Sequence, residues 1–282
     1  RSVWTFSEAQ NAVELCDDPI LRLAMLLAIG CSMRIGEILG LVWENVHNTE
    51  ESIQNGTARI VIDRELKRCD KKSLNDLETR GRSKVCFIFP EIKRKRPCTT
   101  VLVLKAPKTA SSIRNVYLPE TVAKALQEMK TRQEEEKALM GAAYTDYGLV
   151  LAHEDGRPYE ERQIADLIRK FNQTHEFSPV VFHSLRHCSA SMKLQLSGGD
   201  IKAVQGDTGH AQARMVTDLY AHTSNEDRRQ LAKKMEQKFF RHENTKSKEK
   251  IAVDEAQKAY QLLLEKPEMA KLIIAMMDQN ST

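Results

Sequence analysis

The alternation of hydrophobic and polar positions changes rhythm twice along the chain. From Thr5 to Leu41 apolar residues recur at helical spacing: a cap at Ser7 opens one helix, LRLAMLLAIG (21–30) reads as a buried second, and RIGEILGL (34–41) as a third. From Thr57 the runs TARIVID, KVCFIFP and TTVLVL, rich in β-branched residues and divided by charged stretches, predict a small antiparallel sheet. After Pro119 the helical rhythm returns. Segments 120–139 and 159–172 are amphipathic and are joined by a loop with a turn at Asp155-Gly156-Arg157-Pro158. The blocks FHSLRHCSA, DIKAVQGDTGH and ARMVTDLYAHT each keep helical spacing. Residues 241–250 are polar and linker-like, and Ile251 to Met277 carry their apolar residues on one face. No fixed-period repeat is present. The pattern predicts a mainly α fold with a small antiparallel β-sheet (α+β). One domain spans 1–243, and 244–282 form a linker and an amphipathic helix.

Composition narrows the class. With 282 residues, 41% of them hydrophobic, the chain is long enough to bury a core. Its apolar runs are too short or too interrupted by charge to span a bilayer, and no secretory signal is evident, so a soluble, cytoplasmic protein without a membrane partner is expected. The six cysteines are scattered, with neither a C-x-x-C pair nor zinc-like Cys/His spacing, which predicts free thiols and no metal. The chain has no initiator Met and enters at once on a helix start (Thr5, Ser7, Glu8), so an N-terminal part is expected to be missing.

A net charge of +4 does not by itself imply nucleic acid; its distribution says more. Lys93, Arg94, Lys95 and Arg96 form a dense cationic block within Glu91–Pro97, and Arg64, Lys67, Arg68, Lys71 and Lys72 form a looser one. The dense block has two readings, a contact to DNA backbone or a solvated surface loop.

The candidate chemistry is that of metal-free phosphodiester cleavage. This needs an in-line nucleophile, cations around the phosphate, and acid/base groups for the entering and leaving oxygens. Arginine suits the phosphate because its planar fork donates two parallel hydrogen bonds and never loses its charge. Arg34 and Glu37 lie three residues apart, on one helical face, so the carboxylate can orient the guanidinium. His183 and Arg186 share that spacing, and His210 precedes Tyr220 by ten residues. Taken singly, each has an ordinary structural reading: a surface ion pair, a core histidine, a core or interface aromatic.

Taken in order, these segments resemble the tyrosine recombinase, or phage integrase, family over Thr5 to about Phe240. GCSMRIGEILGLVWENV is similar to the family's first arginine motif, HSLRH to its H-x-L-R-H box, TGH with TDLYAH to its final motifs, and APKTASSIRNVYLP to its hairpin lysine segment. The resemblance implies the recombinase catalytic-domain fold with a C-terminal exchange helix. It assigns Tyr220 as nucleophile, Lys108 as the acid for the leaving 5′ oxygen, Arg34, Arg186 and His210 as phosphate ligands, His183 as acceptor of the tyrosine proton, and Glu37 as support for Arg34. Lys105 is the alternative to Lys108, and Lys93 to Arg96, Lys105 and Arg114 are candidate DNA contacts. Residues 63–100 form an expansion relative to compact family members.

The implied activity is site-specific integration and excision of a bacterial mobile element through a 3′-phosphotyrosine, with no cofactor. Conjugative transposons come first and phages next. The implied partners are double-stranded recombination sites, the Holliday junction, further copies of the chain in a tetramer, and accessory DNA-bending or excision proteins, at the bacterial nucleoid. The C-terminal helix has two readings, docking on a neighbouring protomer or packing on its own domain. Two other classes stand beside this one: a type IB topoisomerase, which shares the chemistry, and a catalytically silent DNA-binding regulator on the same scaffold.

Overall fold

The computed structural model describes residues 3–72, 74, 84–91, 98–107 and 112–208, with isolated positions 229, 233 and 235. The chain divides into two compact units, Arg1–Ala221 and His222–Thr282, and the described residues lie almost entirely in the first.

Helix α1 (Phe6–Glu14) starts two residues earlier than the pattern predicts. Its cap is Thr5, not Ser7: the Thr5 hydroxyl accepts from the Glu8 amide at 3.2 Å, and the Glu8 carboxylate accepts from the Thr5 amide at 2.8 Å. Helix α2 (Pro19–Gly30) begins with Pro at its first position and an Asp18 carboxylate accepting from the Leu21 amide at 2.8 Å. Ile20, Leu21, Leu23 to Leu27 and Ala28 are all buried, so α2 is hydrophobic all round and runs through the core. Helix α3 (Ile35–Leu39) follows after a short turn.

The strands form two antiparallel three-stranded sheets rather than one. The first has the order β1-β2-β6, from Val46–His47, Arg59–Ile62 and Arg114–Tyr117, with α4 (Glu50–Gln54) between β1 and β2 in sequence. The second has the order β3-β5-β4, from Glu65–Asp70, Thr100–Lys105 and Val85–Ile88. TARIVID supplies β2, KVCFIFP supplies β4 and TTVLVL supplies the central, buried β5. Strand β3 arises from part of what reads as a loose cationic block. It is an outer strand whose Lys67 and Arg68 face solvent, and only Leu66 is fully buried, so hydrophobic alternation does not reveal it. In β6, Val116 is buried and the Arg114 side chain nearly so.

Helices α5 (Glu120–Met140) and α6 (Glu161–Thr174) match the two amphipathic segments within two residues. Helix α7 (Phe182–Leu196) carries FHSLRHCSA and packs on α2, and α8 (Ile201–Thr208) lies beside α7 and β6. ARMVTDLYAHT, the linker and Ile251–Met277 fall outside the described residues. No helix among the described residues is long and apolar enough to cross a membrane.

Two glycines fix how the first helical layer meets the second sheet. A Cβ at Gly40 would stand 2.7 Å from the Leu66 amide nitrogen, and one at Gly36 would stand 3.2 Å from the Leu66 carbonyl oxygen. Spaced i, i+4 on one face of α3, they let the helix backbone approach β3 directly.

Candidate active site

Arg34 stands immediately before α3, and Glu37 sits in that helix's first turn. The Glu37 carboxylate accepts from the Arg34 amide at 2.9 Å and from its guanidinium at 2.8 Å. It also accepts two bonds from Arg114 of β6, at 3.1 and 3.0 Å. Glu37 and Arg114 are buried, whereas about a third of the Arg34 side chain (34%) stays exposed. Burial alone would raise the Glu37 pKa. The hydrogen bond and charge of Arg114 outweigh it together with the amide and guanidinium of Arg34, and hold the carboxyl below its ordinary value. Glu37 is therefore a fixed anion between two guanidinium groups.

Arg186, on α7, is buried and donates to the carbonyl of Ser32, a residue 154 positions away and two before Arg34. The Arg186 guanidinium is thus delivered to the turn that carries Arg34. Ser32 has φ +52°, the left-handed region that side chains rarely adopt. Its hydroxyl pairs with that of Ser189 at 2.6 Å, and Ser189 donates to the Ile29 carbonyl. Ser189 lies three residues after Arg186 on α7, so one buried polar knot holds the strained turn and the arginine helix together.

His183 lies in the first turn of α7 and is exposed, its ring 4.8 Å from that of His187 and nearly perpendicular to it. The three-residue spacing therefore puts one polar group at the surface and the other, Arg186, in the interior.

The Lys105 ammonium, at the end of β5, pairs with Glu65 across the β3–β5 register and is buried. Lys105 and Arg114 were both expected to contact DNA. In the structure both direct their charges into buried ion pairs, as a cation removed from water requires. Lys108, His210, Tyr220 and the Lys93, Arg94, Lys95 and Arg96 block lie outside the described residues. Helix α8 ends at Thr208, two residues before His210. Among the described residues, no three His, Cys, Asp or Glu side chains are grouped as metal ligands.

Sequence reasoning missed Ser32, Ser189, Glu65 and the role of Gly36 and Gly40. The glycines carried a signal, since their i, i+4 spacing brackets Glu37. Nothing local marks Ser32, because its partners are contributed by a distant helix. The assembled arrangement offers two guanidinium groups converging on one turn, the first oriented by a buried carboxylate. That is suited to holding a phosphodiester.

The same chain has known relatives. Residues 89–227 match the Phage integrase family. A XerC-like tyrosine recombinase of Caldanaerobacter subterraneus subsp. tengcongensis is 26% identical over 223 residues, covering 77% of this chain and 50% of that protein. The ICEBs1 integrase of Bacillus subtilis is 24% identical over 152 residues, covering 53% of this chain and 41% of that protein. The chain thus spans half or less of the length of these relatives. The Tn1549 transposon integrase, solved in complex with circular intermediate DNA, superposes with a TM-score of 0.59 at 16% identity, covering 83% of this chain and 67% of that one, which shows a shared fold. With the arginine motifs meeting at Ser32, residues 89–227 matching the phage integrase family and two curated recombinases aligning with the chain, its likeness is to the phage integrase, or tyrosine recombinase, family.

Proposed function

We propose that this chain is the catalytic part of a site-specific DNA recombinase that integrates and excises a bacterial mobile element. Tyr220 attacks the scissile phosphate and forms a 3′-phosphotyrosine, and Lys108 protonates the departing 5′ oxygen. Arg34, Arg186 and His210 hold the non-bridging oxygens as negative charge builds in the transition state. His183 accepts the tyrosine proton. A tyrosine hydroxyl titrates near 10 in water, and neighbouring cations favour its phenolate. The bond energy kept in the phosphotyrosine lets a 5′ hydroxyl from another strand reverse the step, so the chemistry needs no ATP.

The observation that carries this reading is the bond from Arg186 to the Ser32 carbonyl. It brings the H-x-L-R-H arginine to the segment of the first arginine motif across 154 residues, a convergence that a scaffold used only for binding would not require. The partners in this reading are double-stranded recombination sites and the Holliday junction, engaged by a tetramer of the chain in the bacterial cytoplasm at the nucleoid, with accessory DNA-bending or excision proteins. The segment 244–282 forms the exchange element, and residues 93–96 grip DNA backbone. The kinship with the integrases of ICEBs1 and Tn1549 supports a conjugative element.

The test is a nicked suicide DNA carrying the element's end. A protease-sensitive covalent adduct is expected with the parent, none with Tyr220→Phe, and about 10²- to 10³-fold slower formation with Arg186→Ala. Binding weakens with salt alike in all three, because phosphate contacts dominate affinity. A parent that binds the end but forms no adduct, or an adduct that persists in Tyr220→Phe, defeats the proposal. Relaxation of a supercoiled plasmid lacking the element's sites would turn it toward a topoisomerase.

A further inference from the structure

We infer that Arg114 is a positioning residue of the cleavage site: acting through Glu37, it fixes the guanidinium of Arg34. The inference rests on the reading of Arg34 as a phosphate ligand and adds to it a residue from a different layer of the fold.

The geometry is one of complete occupancy. Glu37 Oε1 accepts from the guanidinium groups of Arg34 at 2.8 Å and Arg114 at 3.1 Å, and Oε2 accepts from the Arg34 amide at 2.9 Å and the Arg114 guanidinium at 3.0 Å. An ionised carboxylate has about four acceptor sites. All are therefore taken, two by each arginine, and the carboxylate has no hydrogen-bonded alternative to rotate into. Arg114 approaches with its fork, the geometry that confers most directional rigidity, and is itself anchored to the Ser112 carbonyl at 3.1 Å. With 7% and 2% of their side chains exposed, Arg114 and Glu37 are shielded from the screening that makes surface pairs weak.

Charge counting gives the second half of the argument. Arg34 and Glu37 alone would form a neutral pair, and a neutral pair offers a phosphate little. Here the carboxylate is shared between two guanidinium groups, and the partly exposed one is Arg34. Beside α3, Glu65 on β3 is itself paired with Lys105 on β5. Placement adds a linkage: Arg114 opens β6, which follows the segment holding Lys108 and lies beside α8, the helix that precedes His210. A displacement of β6 therefore pulls on Arg34 through a single buried carboxylate.

The experiment uses the full chain with Arg114→Met, which keeps bulk and removes charge, and Arg114→Lys, which keeps charge and removes the fork. The first measurement is single-turnover cleavage of the suicide DNA alongside DNA affinity. The second is solvent exchange of the Arg34 Nε–H by 15N-resolved NMR without DNA. For Arg114→Met, cleavage about 10- to 10²-fold slower is expected, bounded by the loss of one oxyanion donor, with affinity nearly unchanged and faster Arg34 exchange. Arg114→Lys is expected to fall between it and the parent on both readouts. If the Met variant does not fold, the Lys variant carries the test. A folded variant with parental cleavage, or with parental Arg34 exchange, overturns the inference. A parent that forms no adduct defeats the cleavage reading instead, and the exchange measurement then still decides whether Arg114 holds Arg34.

Discussion

Among the described residues a glutamate is gripped by a two-pronged arginine in two places, and the two grips are not equivalent. Arg68 of β3 holds Glu160 at 2.7 and 2.6 Å on the outer sheet, with 34% and 27% of the two side chains exposed. Arg114 of β6 holds Glu37 at slightly longer range, 3.1 and 3.0 Å, with almost no exposure. The shorter pair is the weaker one in consequence. Water can replace either partner of Arg68–Glu160, whereas it has little access to the contact between Arg114 and Glu37. Contact distance alone therefore says little about what a pair does; burial decides whether it merely joins two surfaces or fixes a functional side chain.

Substitutions at both grips, and along the scaffold between them, can break or sharpen this contrast. The largest effect is expected for Glu37→Ala, which strands a buried guanidinium: a loss of about 3 kcal/mol or more in urea unfolding, where a loss under 1 kcal/mol would put the two grips in one class. The same carboxylate predicts a pH dependence. Its folded pKa is depressed, so the stability it contributes is present above the unfolded value and is lost as pH falls through the lower folded one. Parental stability should thus decline on acidification more steeply than that of Glu37→Gln. Next in size is Gly40→Ala, whose new Cβ meets the β3 backbone at 2.7 Å; about 1–3 kcal/mol of destabilisation is expected in thermal unfolding. Ser32→Ala loses the pairing with Ser189 and should cost about 1 kcal/mol, with cleavage falling more than stability does because the Arg186 acceptor is loosened. The smallest effect belongs to Arg68→Ala, expected below about 1 kcal/mol and diminishing with salt.

How legible these regions were in the sequence follows the same divide. Helices α5 and α6 declare themselves through periodicity because each buries a defined face, and α2 and β5 declare themselves through continuous apolar runs because each lies within the core. The pairing of Arg34 with Glu37 is local and readable from a three-residue spacing. Strand β3 was hidden because an outer strand can expose Lys67 and Arg68 without penalty, and so its residues read as a charged loop. The inward turn of Arg114 was hidden for the opposite reason: its partner is 77 residues away, and a lone arginine in a sequence looks like surface. The cap moved from Ser7 to Thr5 although both are good capping residues: Thr5 has the charged Glu8 at the reciprocal position, where Ser7 has the neutral Gln10. Family motifs supplied what periodicity could not, by naming which distant arginines meet.

The bond between Arg186 and the Ser32 carbonyl has a consequence for biosynthesis. It closes a loop of 154 residues, and such long closures form late, after the intervening sheets have collapsed and shortened the effective chain between the ends. A nascent polypeptide emerging from the ribosome presents its first arginine well before the second exists. The two arginines therefore meet only when α7 has been synthesised and docked.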